Sequence, residues 1–141
     1  MLVAALDTSV VAAGIGWSGG AARRVFVLLA RRAFPSVRTP DLKAEWVDTL
    51  ADLAAREPRW QNPNWAHWLD WLRQKSSLVA PGALRATVKR DPDDDVVLAP
   101  ALGGRAVCLV TYDRDLLDLE KPFGIQILRP EALVSRLLRF R

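Results

Sequence analysis

Residues 2–9, LVAALDTS, contain the arrangement that decides the fold: an apolar run that ends at once in Asp7, Thr8 and Ser9. Such a run is typical of a strand buried on both faces, and its polar end marks the edge of a sheet. We therefore predict that it forms the central strand. In an α/β fold, Asp7 then lies at the carboxyl edge of the sheet, where functional side chains gather.

Outward from this strand, short strands alternate with helices, which implies a largely parallel sheet covered by helices. Four glycines between residues 14 and 20 are expected to loosen the chain before a helix in residues 21–34. Thr39 and Pro40 predict the start of a second helix, which contains Glu45. Further predicted elements are strands at 36–40, 106–111 and 125–128, a short strand within 85–95, and helices at 64–75, 93–102 and 129–141.

Four acidic residues stand near the ends of short apolar runs: Asp7, Glu45, Asp94 and Asp113. Parallel strands bring their carboxyl ends to one edge, so these carboxylates are expected to meet around a hard cation such as Mg²⁺. Without a cation such a cluster repels itself. Replacing Asp7 or Asp113 by asparagine is therefore expected to leave the fold intact or slightly more stable.

Four segments, LDTSVV, TPDLKAEW, DPDDDVVLAPALGGRAVCLVTYDRDLLDL and GIQILRPEALV, resemble in that order the PIN domain, and in particular the toxin components of toxin–antitoxin pairs. The resemblance covers nearly the whole chain. It implies a three-layer α/β/α sandwich with a mostly parallel central sheet. It also implies a ribonuclease directed at single-stranded RNA, dependent on Mg²⁺ or Mn²⁺, and an antitoxin protein as partner.

By this resemblance, Asp7, Glu45, Asp94 and Asp113 are the catalytic and metal-binding residues. Chemically, a metal can activate an attacking water, and a second can stabilise the leaving oxygen. The sequence has one histidine, His67, so catalysis by a pair of histidines is excluded.

Alternatives remain for several of these residues. Asp95 is the alternative to Asp94, and Asp7 could serve only as a turn or helix cap. Asp115 is a secondary candidate ligand or a solvated residue. Ser9 and Thr111 could orient the acids or simply end their strands.

Glu45 is the least specific of the four acids, because Asp41 and Asp48 lie on neighbouring turns of the same predicted helix. A different class of function also remains open. The chain could be a catalytically silent PIN-fold module that binds or scaffolds other molecules.

Composition indicates one globular domain spanning residues 1–141, since 50% of the residues are hydrophobic and 26% are charged. No apolar run is long enough to span a membrane, and the first residues do not resemble a signal peptide, so we expect a cytoplasmic protein. The single cysteine, Cys108, is expected to be a buried thiol. The net charge of +4 suits a polyanionic partner such as RNA.

Trp65, Trp68 and Trp71 recur at every third position, with Trp60 just before them. At helical spacing, tryptophans more often form a core or a protein interface than a stacking surface for bases. We expect this region to mediate homo-oligomerisation or antitoxin binding.

Overall fold

The computed structural model describes residues 2–60, 62–80, 108–119 and 124–139. The strands in these residues are β1 (Ala4–Leu6), β2 (Ser36–Arg38), β3 (Ser76–Leu78), β4 (Cys108–Val110) and β5 (Gln126–Leu128). The helices are α1 (Thr8–Gly16), α2 (Ala21–Ala30), α3 (Pro40–Arg56), α4 (Trp65–Lys75), α5 (Arg114–Leu117) and α6 (Pro130–Arg139).

The strands form one sheet in the order β3-β2-β1-β4-β5, and every pairing is parallel. The predictions of a parallel sheet and of a central first strand are therefore confirmed. Alternate residues of β1 enter two different hydrophobic clusters: Ala4 and Leu6 enter one, and Ala5 enters the other. Both faces of the sheet are consequently covered. The chain therefore leaves the core where a strand ends at the carboxyl edge.

Helix α1 follows β1 directly, and the sequence analysis did not predict it. Gly14 and Gly16 lie within this helix, so the expectation that they loosen the chain is wrong. Both are close-packing positions: a β-carbon would lie 2.7 Å from the Phe26 ring at Gly14 and 2.2 Å from the Trp60 ring at Gly16. Gly19, in contrast, belongs to the connection between α1 and α2, where a β-carbon would meet nothing.

Side chains from distant segments satisfy the carbonyls in the second half of α1. The Trp60 indole donates to Ala12 O at 2.8 Å, and Arg23 Nε donates to Gly14 O at 2.6 Å. The Asn62 amide donates to the carbonyl of the next residue, Ile15, at 2.8 Å. Helix ends leave carbonyls without partners inside the helix. These contacts therefore fix the C-terminal half of α1 and, through the rigid helix, its N-terminus at the sheet edge.

Helix α3 begins as predicted. Thr39 is its N-cap and accepts a hydrogen bond from the amide of Leu42, and Pro40 occupies the first helical position. Leu42, Trp46 and Leu50 are all fully buried and anchor the helix against α1. This anchoring fixes the rotation of α3 and therefore the direction in which Glu45 points.

The predicted strand within residues 85–95 and the predicted helix at residues 93–102 lie outside the described residues. The short edge strand β3 was not predicted. Within the described ranges, no helix has the length and apolar character needed to cross a bilayer.

The tryptophan-rich helix α4 packs against α2. Trp68 and Trp71 are half-buried, and their ring centroids lie 6.0 and 5.8 Å from that of Phe26. The guanidinium of Arg23 lies 4.2 Å over the Trp68 ring. These side chains line an open groove of about 560 Å³. Trp60, by contrast, is 2% exposed and belongs to the core, so it offers no surface to a partner.

Candidate active site

Asp7 lies where β1 ends and α1 begins. It is 5% exposed, and its Oδ1 accepts a 2.7 Å hydrogen bond from the amide of Thr8, which makes it the N-cap of α1. A carboxylate at this position is favoured by the positive end of the helix dipole. Asp7 is therefore a helix cap whether or not it also has a catalytic role.

Two hydroxyl groups hold the other oxygen of Asp7. Oδ2 accepts hydrogen bonds from Ser9 Oγ at 2.8 Å and from Thr111 Oγ1 at 2.5 Å. A carboxylate offers about four acceptor positions. Among the described residues, three donors occupy three of them: one on Oδ1 and two on Oδ2. These contacts fix the orientation of the group.

Thr111 also connects Asp7 to Asp113. Its side chain is fully buried at the end of β4, and its Oγ1 accepts a 2.9 Å hydrogen bond from the amide of Asp113. Ser9 makes a parallel connection, since its Oγ accepts from the amide of Tyr112 at 3.1 Å. The two hydroxyls thus join the ends of β1 and β4 and place the backbone of Asp113 relative to the Asp7 carboxylate.

Asp113 is exposed and is the N-cap of α5, where its Oδ1 accepts a 3.0 Å hydrogen bond from the amide of Asp115. Asp115 therefore meets Asp113 through its backbone, and its own side chain is exposed. The carboxylate of Asp113 points into solvent at the carboxyl edge. A solvated group of this kind is accessible to a cation or a substrate.

Glu45 approaches the same edge from the second turn of α3. It is half-buried, and its Oε1 accepts a 2.8 Å hydrogen bond from Thr8 Oγ1. Asp41 and Asp48, the alternatives on neighbouring turns, are exposed. Thr8 therefore links α3 to the start of α1. Through this contact Glu45 binds the residue that directly follows Asp7.

Sequence reasoning missed Thr8 as a site residue. The available signal was its position between Asp7 and Ser9 at the end of a buried strand, where three polar residues follow one another. Its partner Glu45 lies 37 positions away. Nothing local in the sequence could reveal that contact.

The structure thus brings together Asp7, Ser9, Thr111 and the backbone of Asp113 as one hydrogen-bonded unit, with Glu45 joined through Thr8. Asp94 and Asp95 lie outside the described residues. Within the described part of the chain, no three acidic, histidine or cysteine side chains converge closely enough to form a metal site. The chemistry of the donors nevertheless fits Mg²⁺ or Mn²⁺, because both prefer carboxylate oxygen, and Mg²⁺ is commonly held by one or two carboxylates together with waters.

Tyr112 follows Thr111, and its backbone amide donates to Ser9 Oγ. Burial raises the pKa of its phenol, and so does Glu131, whereas a hydrogen bond from the backbone of Ala22 and the nearby Arg129 lower it. Its ring lies 5.7 Å from the Arg129 guanidinium. The phenol therefore stays protonated at neutral pH and adds no charge to the carboxyl edge.

The sequence was compared with models of known protein families. The sequence profile of the PIN domain matches residues 4–115, which is most of the chain. The chain belongs to the PIN domain family. The matched range contains all four acids of the sequence analysis, and PIN domains are typically nucleases.

A solved PIN-like structure shows the same fold. The crystal structure of PAE2754 from Pyrobaculum aerophilum superposes with a TM-score of 0.64 over 98% of this chain and 90% of that one, at 20% sequence identity. At this identity the likeness is one of fold. No curated protein matches the chain significantly.

Proposed function

We propose that this PIN domain is an endoribonuclease that cleaves single-stranded RNA with the help of Mg²⁺ or Mn²⁺. The observation that carries the proposal is the Asp7 carboxylate, buried at the carboxyl edge and held in one orientation by Ser9 and Thr111. Fixing a charged group so firmly at the sheet edge, where Thr8 holds Glu45 and Thr111 holds the backbone of Asp113, is what a cation site needs and what a surface cap does not.

Asp7, Glu45 and Asp113, together with Asp94, would hold the cation. When bound, a divalent cation lowers the pKa of a coordinated water and stabilises negative charge on the leaving oxygen of a phosphodiester. The protein supplies the positions of the carboxylates. Thr111 and Ser9 orient Asp7, and Thr8 orients Glu45, so that the acids are pre-arranged before substrate binds.

We further propose that the protein is the toxin of a toxin–antitoxin pair that acts in the cytoplasm, where its RNA substrate is. This proposal rests on the sequence resemblance. The groove between α2 and α4 is our candidate for the contact with an antitoxin or with a second copy of the chain, because half-buried Trp68 and Trp71 line it. Mass measurement of the purified protein, alone and co-expressed with the product of an adjacent gene, tests both contacts.

One observation favours a second candidate function. Asp7 caps α1 and links two strands through hydroxyl groups, so it has a structural role that would preserve it without catalysis. A silent PIN domain that binds RNA or protein would keep this residue. The two functions differ at Asp113, whose carboxylate is exposed and caps only the four-residue helix α5.

The deciding experiment is therefore cleavage of a mixed single-stranded RNA pool by the wild-type protein and by Asp113→Asn, in Mg²⁺, Mn²⁺ or EDTA. Asp118→Asn is the matched control, because Asp118 is also exposed, lies five positions away and changes charge identically. We expect metal-dependent cleavage by the wild type and by Asp118→Asn and none by Asp113→Asn. No cleavage by a folded wild type would favour the silent module, whereas equal cleavage by all three proteins would show that Asp113 is not needed for the cleavage.

A further inference from the structure

Arg38, at the carboxyl end of β2, is a buried cation without a hydrogen-bond partner for its Nε atom in the described part of the chain. The residue is only 9% exposed. Arginine stays charged in proteins and offers five donors in a planar fork. A buried N–H donor without a partner costs stability, and an anion bound here would supply the acceptor that Nε lacks.

One charged neighbour of Arg38 is another cation, Arg73. Burial lowers the pKa of Arg38, and the positive charge of Arg73 on α4 lowers it further. Arg73 itself is ion-paired with Asp70 at 3.1 Å on the outer side of α4. Arg73 thus adds positive charge near Arg38, although its own ion pair with Asp70 partly offsets that charge.

Arg38 opens into a cavity of about 440 Å³ between β2, β3 and the first turns of α3. Lys43 adds a second cation to its lining, Asp48 contributes one carboxylate, and Ala44, Val47 and Leu78 provide apolar walls. Two cations among apolar walls suit a phosphate group attached to a sugar or base. A free inorganic ion would gain nothing from the apolar part.

This cavity lies on the same edge of the sheet as the acids. In the β1–β2 register Ala5 pairs with Val37, so Arg38 stands beside Leu6, the residue before Asp7. Helix α3 carries both Lys43, which faces the cavity, and Glu45, which faces Thr8. Neighbouring strands are about 4.8 Å apart, so a nucleic-acid strand passing the acids would run close to the cavity.

We propose that Arg38 and Lys43 form a phosphate-binding subsite that holds a backbone phosphate of single-stranded RNA next to the one that is cleaved. This proposal deepens the proposed ribonuclease function and rests on it. The guanidinium fork of Arg38 matches two phosphate oxygens, and Lys43 supplies a flexible second charge.

The test is binding of a fluorescent single-stranded RNA in EDTA, measured by anisotropy over a range of salt concentrations. We expect Arg38→Gln to weaken binding about tenfold and to lower the slope of log affinity against log salt by about 0.7, the value for one phosphate on a single strand. The loss should be similar for different RNA sequences. Lys43→Gln should act in the same direction.

Arg56→Gln is the matched control. Arg56 lies at the other end of α3, is exposed and pairs with the exposed Asp52. This variant therefore removes the same charge far from the cavity and should bind RNA like the wild type. Arg38→Gln is expected to unfold at or above the wild-type midpoint, because it removes a buried cation whose Nε has no acceptor among the described residues. A large drop in its midpoint would make Arg38 structural and overturn the proposal.

Two further outcomes complete the test. Wild-type RNA affinity in folded Arg38→Gln and Lys43→Gln overturns the subsite. Inorganic phosphate tests whether the site binds a free ion instead. In that case phosphate would raise the thermal midpoint of the wild type but not of Arg38→Gln, and Arg38→Gln would bind RNA as tightly as the wild type. The assignment to RNA would then be wrong. RNA binding is measured without metal. The result for the subsite therefore does not depend on whether the cleavage experiment succeeds.

Discussion

The hydroxyl of Thr111 donates a 2.5 Å hydrogen bond to Asp7 Oδ2 and at the same time accepts one from the amide of Asp113. A single buried hydroxyl therefore sets the position of one acid and the backbone of another. The two acids follow the ends of two neighbouring strands, β1 and β4. The sequence separates Thr111 from Asp7 by 104 positions. Thr111 is therefore a positioning residue for both acids.

Replacing Thr111 by valine removes the hydroxyl while preserving the shape of the side chain. Asp7 then loses one of its donors and the Asp113 amide loses its acceptor, which should cost about 1–3 kcal/mol of unfolding free energy. Loss of a group that orients a metal ligand typically lowers activity by about 10–100-fold. Urea unfolding and RNA cleavage measure the two effects.

Thr111→Ser is the matched control, because it keeps the hydroxyl and loses only a methyl group. It should retain most of the activity and lose about 0.8 kcal/mol. If the valine and serine variants had equal activity, the hydroxyl would have no role in positioning Asp7.

Asp7 and Asp113 should respond differently to the same substitution. Asp7 accepts three hydrogen bonds while 5% exposed, and asparagine has only one acceptor oxygen, so Asp7→Asn should lose about 1–3 kcal/mol of unfolding free energy. Asp113→Asn lies at an exposed cap, where asparagine serves as well as aspartate, and should change stability by less than about 0.5 kcal/mol.

Denaturant unfolding without metal checks this difference, and both variants should lack cleavage activity. From the sequence, removing one repelling charge at Asp7 was expected to leave the fold intact or more stable. The hydrogen bonds of Asp7 in the structure lead to the opposite expectation, a loss of stability. Equal stability of the two variants would show that charge repulsion at Asp7 offsets its hydrogen bonds.

The sequence was sufficient for features that depend on local signals. The apolar runs of β1 and β4, and the Thr39–Pro40 start of α3, follow from patterns a few residues long, and each is confirmed. Helix α1 was missed because its glycines have poor helix propensity. Phe26 and Trp60 occupy the space that a side chain at Gly14 or Gly16 would need, and that packing is invisible in sequence.

The candidate site divides in the same way. Asp7 and Asp113 stand directly after or near the ends of apolar runs, so their edge position could be predicted. The contact of Thr8 with Glu45 depends on how α3 packs, and the position of Arg73 near Arg38 depends on how α4 packs. Only the folded structure shows either, and only it shows that Arg38 Nε has no acceptor among the described residues. Side chains that orient other side chains are therefore harder to predict than the acids they orient.

Gly16→Ala should destabilise the protein although alanine favours helices. A β-carbon at this position would lie 2.2 Å from both Cδ1 and Nε1 of Trp60, whose indole is buried and donates to Ala12 O. Overpacking of this kind costs about 1–3 kcal/mol. Thermal unfolding should show a midpoint lowered by about 3–4 °C for each kcal/mol in a chain of this size.

Gly19→Ala provides the control, since nothing lies within 4 Å of a β-carbon there. Its stability should change by less than about 0.5 kcal/mol. A Gly16→Ala protein as stable as Gly19→Ala would mean that Trp60 can move without loss, and the fixation of α1 by Trp60 would then be wrong.

Cys108 should make stability depend on pH in the alkaline range. Burial in β4 raises the pKa of its thiol from 9.0 to about 11, although Arg136 lowers it slightly. The unfolded chain ionises this thiol at lower pH than the folded protein does. Its contribution to stability is therefore complete below pH 9.0 and is lost as the pH rises toward 11. One proton changes the unfolding free energy by at most about 1.4 kcal/mol per pH unit.

Urea unfolding of the wild type and of Cys108→Ala between pH 8 and pH 11 isolates this effect, because other alkaline groups titrate in both proteins. Cys108→Ala should be less stable at pH 8, since it leaves a small cavity beside β1, but its unfolding free energy should fall less steeply with pH. Parallel curves would mean that the thiol ionises equally in the folded and unfolded states.

The same burial predicts that alkylating reagents modify Cys108 only after unfolding, because the reactive thiolate is scarce in the folded protein.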